Sequence, residues 1–427
     1  MSGAILVAAT TIAFRGATII DGTGAPPVPN SLLVIADGRV VSVGAATLEA
    51  MAKLPAGTQV ITGDNRWIIP GLIDAHVHAE SEQDLKTMLN WGITTVRLMA
   101  EDTASAEALA KESASRTDIP EVIPAAPIFT TKGGWWDQGE PPDSHLNRYP
   151  ATAAEARESV RKAKALGSRE IKVMLDDMAW CRAPRPALPK VSPEIVDALI
   201  SEARAQGMRA IVHAPNGPEA KLAISAGATA LAHGVLDPLD AATIAVMKSR
   251  PVFYIPTMDI FEFLANTRSF VDQSLAGLPE EWLNPPTKTR LASKEYSDGY
   301  RERYPNFESL QRRLPVLREN IKKLKAAGVP VALGTDMWAF PGLAVSVEAD
   351  LYVRTGLSPL EAIHAATQTA ARSVDVDRDR GTLEPGKRAD FVVLKYDPLA
   401  NVANLRQIDG VWKNGARVAP TGDRRGP

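Results

Sequence analysis

The feature that most limits what this chain can fold into is an alternation that runs through its middle. Eight short runs rich in aliphatic and β-branched residues follow one another at Trp67–Asp74, Thr94–Met99, Val122–Phe129, Glu170–Leu175, Arg209–His213, Ala228–His233, Val252–Pro256 and Val329–Thr335. Helix-like stretches separate most of them. Ala153–Leu166 follows Thr152, an N-cap with Glu155 three residues on as in a capping box, and stops at Gly167. Pro193–Gln206 follows Ser192 and stops at Gly207, and Leu310–Ala327 stops at Gly328. Eight strands alternating with helices predict an α/β fold, a parallel (β/α)8 TIM barrel over residues 67–375. The stretch 259–307 is long for a connection and carries Phe261, Phe263, Phe270 and Trp282. It reads as a lid over the open face.

The two chain ends are β-rich instead. Asp37-Gly38 stands between Leu32–Ala36 and Arg39–Val43, and Asn414-Gly415 lies inside Val411–Val418. Both pairs are hairpin signatures. Residues 1–66 and 376–427 are therefore expected to build one small β-sandwich together. Ala4–Phe14 is apolar but too short to span a bilayer, has no basic residues before it, and runs into a strand-like segment. It reads as folded structure, with a trimmed export signal as the alternative.

A chain of 427 residues can bury a large core without disulfides, and its single cysteine, Cys181, can form none internally. This fits a reducing compartment, so the expected location is cytoplasmic. With 48 basic and 50 acidic residues interspersed, the net charge is −2. No basic run points to nucleic acid and no segment approaches membrane length. The expected partner is a small-molecule substrate.

Four of the six histidines sit at or near the ends of predicted strands, where a barrel's catalytic groups belong. His76 and His78 are two apart on one strand, so both imidazoles point the same way and can meet one cation. His213 ends the fifth strand and His233 the sixth. Burying four unpaired imidazoles at one mouth without a shared purpose is costly, and a metal explains them together. Asp336 closes the eighth strand, where a carboxylate can ligate a metal and accept a proton from water; the alternative is an N-cap of the next helix. Lys172 lies between apolar neighbours inside strand four. It either snorkels to the rim or, desolvated, becomes a nucleophilic amine able to add CO2 and form a carbamate that bridges two cations.

These residues stand in recognisable company. Pro70-Gly71-Leu72-Ile73-Asp74-Ala75-His76-Val77-His78, Gly381-Thr382-Leu383-Glu384-Pro385-Gly386-Lys387-Arg388-Ala389-Asp390-Phe391 and Asp21-Gly22-Thr23-Gly24 resemble, in order, motifs of the amidohydrolase superfamily, near its imidazolonepropionase-like and prolidase-like members. The resemblance implies two divalent metal ions. His76 and His78 would hold the more buried one and His213 and His233 the more exposed one. Carbamylated Lys172 and a hydroxide would bridge them, and Asp336 would ligate the first ion and shuttle the proton. Nitrogen and oxygen ligands suit zinc. Relatives often assemble, so a homo-oligomer is expected.

Dipeptidase-like relatives usually carry a histidine after a glycine pair beyond strand three, where this chain has Gly133-Gly134-Trp135-Trp136; a polar ring residue often follows the strand-five histidine, where this chain has Pro215-Asn216. Substrate contacts are sought instead at Trp135 and Trp136, which can stack on a flat group or simply pack in their loop. Trp180 and Arg182 follow strand four; Arg182 can hold a carboxylate or be a solvated charge. Tyr254 can polarise a carbonyl or belong to the core, and His145 can stand in for the missing histidine. His364 reads as structural. The leading expectation is hydrolysis of an amide C–N bond in a small substrate such as an N-acyl amino acid, a dipeptide-like compound or an aryl amide. The competing readings are a lactone, carbamate or phosphotriester hydrolase on the same metal centre, and a non-catalytic assembly protein.

Overall fold

The structure is a computed structural model that describes residues 11–100, 102–137, 146–276, 278 and 285–419. Strands β1 (Ile12–Arg15), β3 (Ser31–Ala36), β4 (Arg39–Ala45) and β5 (Gln59–Thr62) form one sheet in the order β4-β3-β1-β5. The β3–β4 hairpin turns at Asp37 and Gly38, both at positive φ, as an Asp-Gly turn requires. Strands β2 (Thr18–Ile19) and β6 (Trp67–Pro70) belong to a second sheet.

The first expected barrel strand, Trp67–Asp74, is in fact two. The chain leaves the second sheet at Pro70, turns at Gly71 and enters β7 (Leu72–Val77), which pairs in parallel with β8 (Ile93–Met99), and β8 pairs with β9 (Glu121–Ala125). A uniformly apolar run carries no mark of the point where it changes sheets. The expected third strand divides likewise, into β9 and β10 (Ile128–Phe129), with Ala126-Pro127 between them. From β10 a second parallel sheet runs through β11 (Glu170–Met174), β12 (Arg209–His213), β13 (Ala230–Ala232) and β14 (Phe253–Ile255).

The expected eighth strand, Val329–Thr335, forms a single bridge, Val331 to Tyr254, rather than a ladder, and Pro330 has no N–H to donate toward β14. Single bonds hold it on both sides. Tyr254 N–H donates to Pro330 O and Ala332 N–H to Tyr254 O, while Ala75 N–H donates to Leu333 O and Thr335 N–H to His76 O. The result is a TIM-barrel-like α/β arrangement, with β7 and β14 brought to either side of one segment. Helices cover its outside. Thr152 caps Ala153–Ala165 by accepting from Glu155 N–H, and Ser192 caps Pro193–Ala205 by accepting from Ile195 N–H. The stretch expected as a lid is helical where described, over Met258–Leu275, Pro285–Ala292 and Lys294–Arg303.

After the last helices the chain returns through β15 (Phe391–Leu394), β16 (Ile408–Lys413) and β17 (Ala416–Arg417), completing the second sheet in the order β17-β16-β15-β6-β2. Asn414 and Gly415, again both at positive φ, turn the β16–β17 hairpin. Phe14, Leu33 and Ile35 of the first sheet share one buried core with Ile68, Phe391 and Trp412 of the second. Ala4–Thr10, most of the apolar N-terminal stretch, lies outside the described residues. Among the described residues no helix is long and apolar enough to cross a membrane.

Candidate metal centre

Parallel strands deliver side chains to one end of the sheet, and here they deliver six donors to one cavity of about 240 Å³. His76, His78, Lys172, His213, His233 and Asp336 all line it. The His76 and His233 rings are 4.6 Å apart, those of His213 and His233 4.5 Å, and those of His76 and His78 5.7 Å. Asp336 sits among them. Its Oδ1 is 3.3 Å from His78 Nε2 and 3.6 Å from His76 Nε2, and its Oδ2 is 3.7 Å from His233 Nδ1. Asp336 has a left-handed φ of 54°, which aspartate tolerates better than most residues. It caps no helix: the next helix begins at Leu343 after Gly342.

The backbone around the first pair is tightly fixed. Buried Asp74 accepts from His76 N–H at 3.1 Å, Thr335 N–H at 3.0 Å and the Thr335 hydroxyl at 2.7 Å, tying β7 to the 334–336 segment. Gly334 passes so close to β7 that a Cβ there would lie 2.9 Å from His76 N.

Two imidazoles have a second partner, and for His213 it sets the tautomer. His213 Nε2 lies 3.0 Å from Asp176 Oδ2, so the carboxylate accepts a hydrogen bond from Nε2–H and Nδ1 is left with its lone pair, buried and without a hydrogen-bond partner among the described residues. Asp176 also accepts from Trp180 Nε1 at 2.9 Å and Asn216 Nδ2 at 3.1 Å. His233 Nδ1 is 2.8 Å from Thr257 Oγ1. Thr257 has φ 42° and ψ 54°, a left-handed conformation that is a genuine outlier for a β-branched residue. It is held by the residues that follow. Glu348, fully buried, accepts from Met258 N–H at 2.9 Å and from Asp259 N–H at 2.8 Å.

Burial governs the protonation states. It holds the His76 and His233 imidazoles well below their ordinary value and lowers His213, while His78 falls to about 3 through burial and then the charge of Lys172. All four are neutral at pH 7, the form that ligates a cation. Burial brings Lys172 down to about 7, with Asp336 pulling the other way, and pushes Asp336 up to about 7.

This donor set fits divalent cations. Both ring nitrogens of His76, Lys172 Nζ and His213 Nδ1 are buried without a hydrogen bond among the described residues, and uncompensated polar atoms of this kind are costly. Ligands about 2.0–2.1 Å from a tetrahedral ion stand roughly 3.3 Å from one another. Asp336 stands at about that distance from His78 and His76, and the donor atoms of all three lie within 4.8 Å of one another.

The substrate side differs in part from expectation. Trp135, Trp136 and Trp180 line the cavity. Tyr254 does not; it is fully buried and its hydroxyl accepts from Val235 N–H at 2.7 Å, so it is committed to the core. Arg182 does not line it either. His145 lies outside the described residues, and His364 Nδ1 contacts Gly22 O at 3.0 Å, away from the centre. Sequence reasoning missed Asp176, Thr257, Arg303 and Tyr304. Only Asp176 carried a signal, as a carboxylate directly after strand four.

The Amidohydrolase family model matches residues 67–418. Ochratoxinase of Aspergillus niger is 26% identical over 464 aligned positions, covering 96% of this chain and 86% of that protein. Imidazolonepropionase of Stenotrophomonas maltophilia (strain R551-3) is 26% identical over 442, covering 90% of each. Among solved structures, A. niger ochratoxinase superimposes with a TM-score of 0.73 at 22% identity, covering 98% of this chain and 99% of that one. A Xaa-Pro dipeptidase with methionine in its active site gives 0.73 at 21% identity, covering 96% and 99%. At such identities these structures speak for the fold. The family match spans well over half of the chain, which therefore belongs to the amidohydrolase family and is a hydrolase acting on carbon–nitrogen bonds.

Proposed function

We propose that this protein is a metal-dependent hydrolase that cleaves the amide C–N bond of a small substrate, with two divalent cations, zinc the favoured metal, held by His76, His78, Lys172, His213, His233 and Asp336. The observation that carries the reading is the convergence of these six side chains on one cavity, with buried nitrogens that nothing else in the described protein satisfies. The setting we infer is a closed eight-membered barrel with the 330–336 segment as its last stave, a lid over 259–307, and a small β-sandwich made by residues 1–66 and 376–427.

When bound, the cations would lower the pKa of water into the neutral range and polarise the scissile carbonyl. The residues do the rest. Lys172, as a neutral amine, attacks CO2; an N–C bond forms, one proton leaves the nitrogen, and the resulting carbamate supplies an anion to neighbouring cations. Asp336, whose two oxygens border His76, His78 and His233, stands where a proton would be exchanged between water and the leaving group. It takes a proton as water attacks and returns it to the departing amine. Asp176 keeps His213 in the tautomer that offers the Nδ1 lone pair, and Thr257 holds the His233 ring in place.

We further read the protein as a cytoplasmic enzyme with a small-molecule partner, which assembles with copies of itself and binds no nucleic acid. The near-zero net charge and the lone cysteine support this.

The test is metal analysis of the purified protein followed by a hydrolysis screen over N-acyl amino acids, dipeptides and aryl amides, scored by amine release. The expected result is about two divalent ions per chain and amine release that disappears in Asp336→Asn. In Lys172→Ala, one ion and most activity should be lost. Full turnover with both ions in Lys172→Ala would remove the bridging role. Metal-loaded protein that releases no amine, yet opens lactones, carbamates or phosphotriesters, would replace the amide assignment.

A further inference from the structure

The cavity has a cation that the metal centre does not use. Besides Lys172 the basic residue on its lining is Arg303, at the end of the helix Lys294–Arg303. Arg303 is exposed and has no carboxylate partner among the described residues; Glu80, also on the lining, is not paired with it. Its guanidinium lies over the Tyr304 ring, 5.5 Å from the centroid. Tyr304 is buried but for 6% and also lines the cavity.

This corner is held in place from below. Arg185 Nη2 donates to Glu302 O at 2.8 Å and Nη1 to Arg303 O at 3.5 Å. Asn306 N–H donates to Cys181 O at 3.1 Å and Asn306 Nδ2 to Trp180 O at 3.0 Å. Four bonds thus latch residues 302–306 to the loop after β11. The same loop carries Trp180, whose indole is fixed by Asp176 and packs 5.5 Å from Phe261. Trp135 and Trp136 face the same space, the latter 4.8 Å from the His78 ring. The result is a wall of aromatic faces that ends in one guanidinium without a carboxylate partner among the described residues. Aromatic faces take flat apolar groups, and a free guanidinium takes a carboxylate.

We propose that Arg303, backed by Tyr304, is the anion-binding corner of the substrate pocket, and that the substrates are aromatic amides bearing a carboxylate near the scissile bond, as in N-acyl aromatic amino acids. The proposal rests on the amide-hydrolase reading for its scissile bond but not for its anion site. Arg182, which the sequence offered for the carboxylate, is absent from the lining, and the strand-three and strand-five positions carry Trp135, Pro215 and Asn216.

The experiment has a binding arm and a kinetic arm, both on the metal-loaded full chain. Tryptophan fluorescence is titrated with 3-phenylpropanoate and with 3-phenylpropan-1-ol, which share a ring and differ in charge. The acid should bind about tenfold more tightly than the alcohol. That advantage should collapse in Arg303→Met, survive in part in Arg303→Lys, and persist in Arg301→Met, a neighbour outside the lining. An advantage untouched in Arg303→Met would overturn the proposal, since the centre's cations would then hold the acid. So would an equal loss for acid and alcohol, which would mark Arg303 as part of the wall only. The kinetic arm compares N-benzoylphenylalanine with its carboxamide, and Arg303→Met should lower the ratio of their kcat/KM values about tenfold, through KM. Turnover without any Arg303 dependence sinks the anion corner and leaves the hydrolase reading intact. Arg303-dependent binding of the acid without turnover of either amide supports the corner and removes the amide reading.

Discussion

Gly334 shows how one residue can be set by its neighbours rather than by its own conformation. The 334–336 segment must approach β7 closely enough for Thr335 and Asp336 to donate to His76 O, and any side chain at 334 would meet His76 and Ile255 first. Gly334→Ala should therefore push His76 and Asp336 apart. We expect a loss of about 1–3 kcal/mol in unfolding free energy and a larger relative loss of bound metal, read by denaturation and metal analysis of the same sample. A variant that keeps full metal content would show that the close approach does not position the donors. His76, His78, Lys172 and Asp336 were legible in the sequence because each sits within or just after an apolar run. Asp176 and Thr257 were not, because their meaning lies in which imidazole they face.

The connection after β14 depends on a carboxylate pair. Glu348 accepts two backbone N–H groups, and the Asp259 side chain lies in hydrogen-bond contact with it. Two ionised carboxylates cannot make that contact. Asp259 Oδ2 has no donor among the described residues, so Asp259 holds the shared proton, its carboxyl raised well above the usual range by burial and then by Glu348. A carboxyl whose pKa is raised on folding stabilises the fold below the unfolded-state value, near 4, and loses that contribution as pH rises toward its folded value. Stability should therefore decline with rising pH above about 4. Asp259→Asn, which keeps a donor toward Glu348 and cannot ionise, should decline less steeply and exceed the wild type at alkaline pH. Parallel pH–stability curves for the two proteins would show that Asp259 does not hold the proton. The strained Thr257 turn depends on this grip, so Glu348→Ala should reduce metal content as well as stability.

Across the molecule, buried charges fasten the barrel-like part to the returning C-terminal chain. Arg380 donates to Thr95 Oγ1 at 3.1 Å and to Glu121 at 3.0 Å, and Arg388 donates to the other oxygen of Glu121. Lys413 donates to the carbonyls of Ser113, Arg116 and Ile119 at 3.0, 2.6 and 2.8 Å. Removing one partner of a buried ion pair strands the other. Glu121→Leu should destabilise the protein by about 3–5 kcal/mol, measured by urea unfolding, while metal content in the folded fraction is retained. A change below about 1 kcal/mol would mean the seam behaves as a solvated surface pair.

The order of elements came from the sequence, because strand and helix periods, caps at Thr152 and Ser192, and the Asp37-Gly38 and Asn414-Gly415 turns are local physics. The residue types at the cavity came from it too, since imidazoles and a lysine at the ends of apolar strands are costly without a common ligand. Three matters were decided only in three dimensions. Trp67–Asp74 divides between two sheets, although its apolar pattern is continuous. Val329–Thr335 joins β7 and β14 through scattered hydrogen bonds rather than a ladder, with Pro330 withholding one donor toward β14. Arg303 rather than Arg182 lines the pocket, because the latch from Arg185 and Asn306 folds a distant helix end over the loop after β11. Each depends on contacts between residues far apart in the chain, and no local pattern records such contacts.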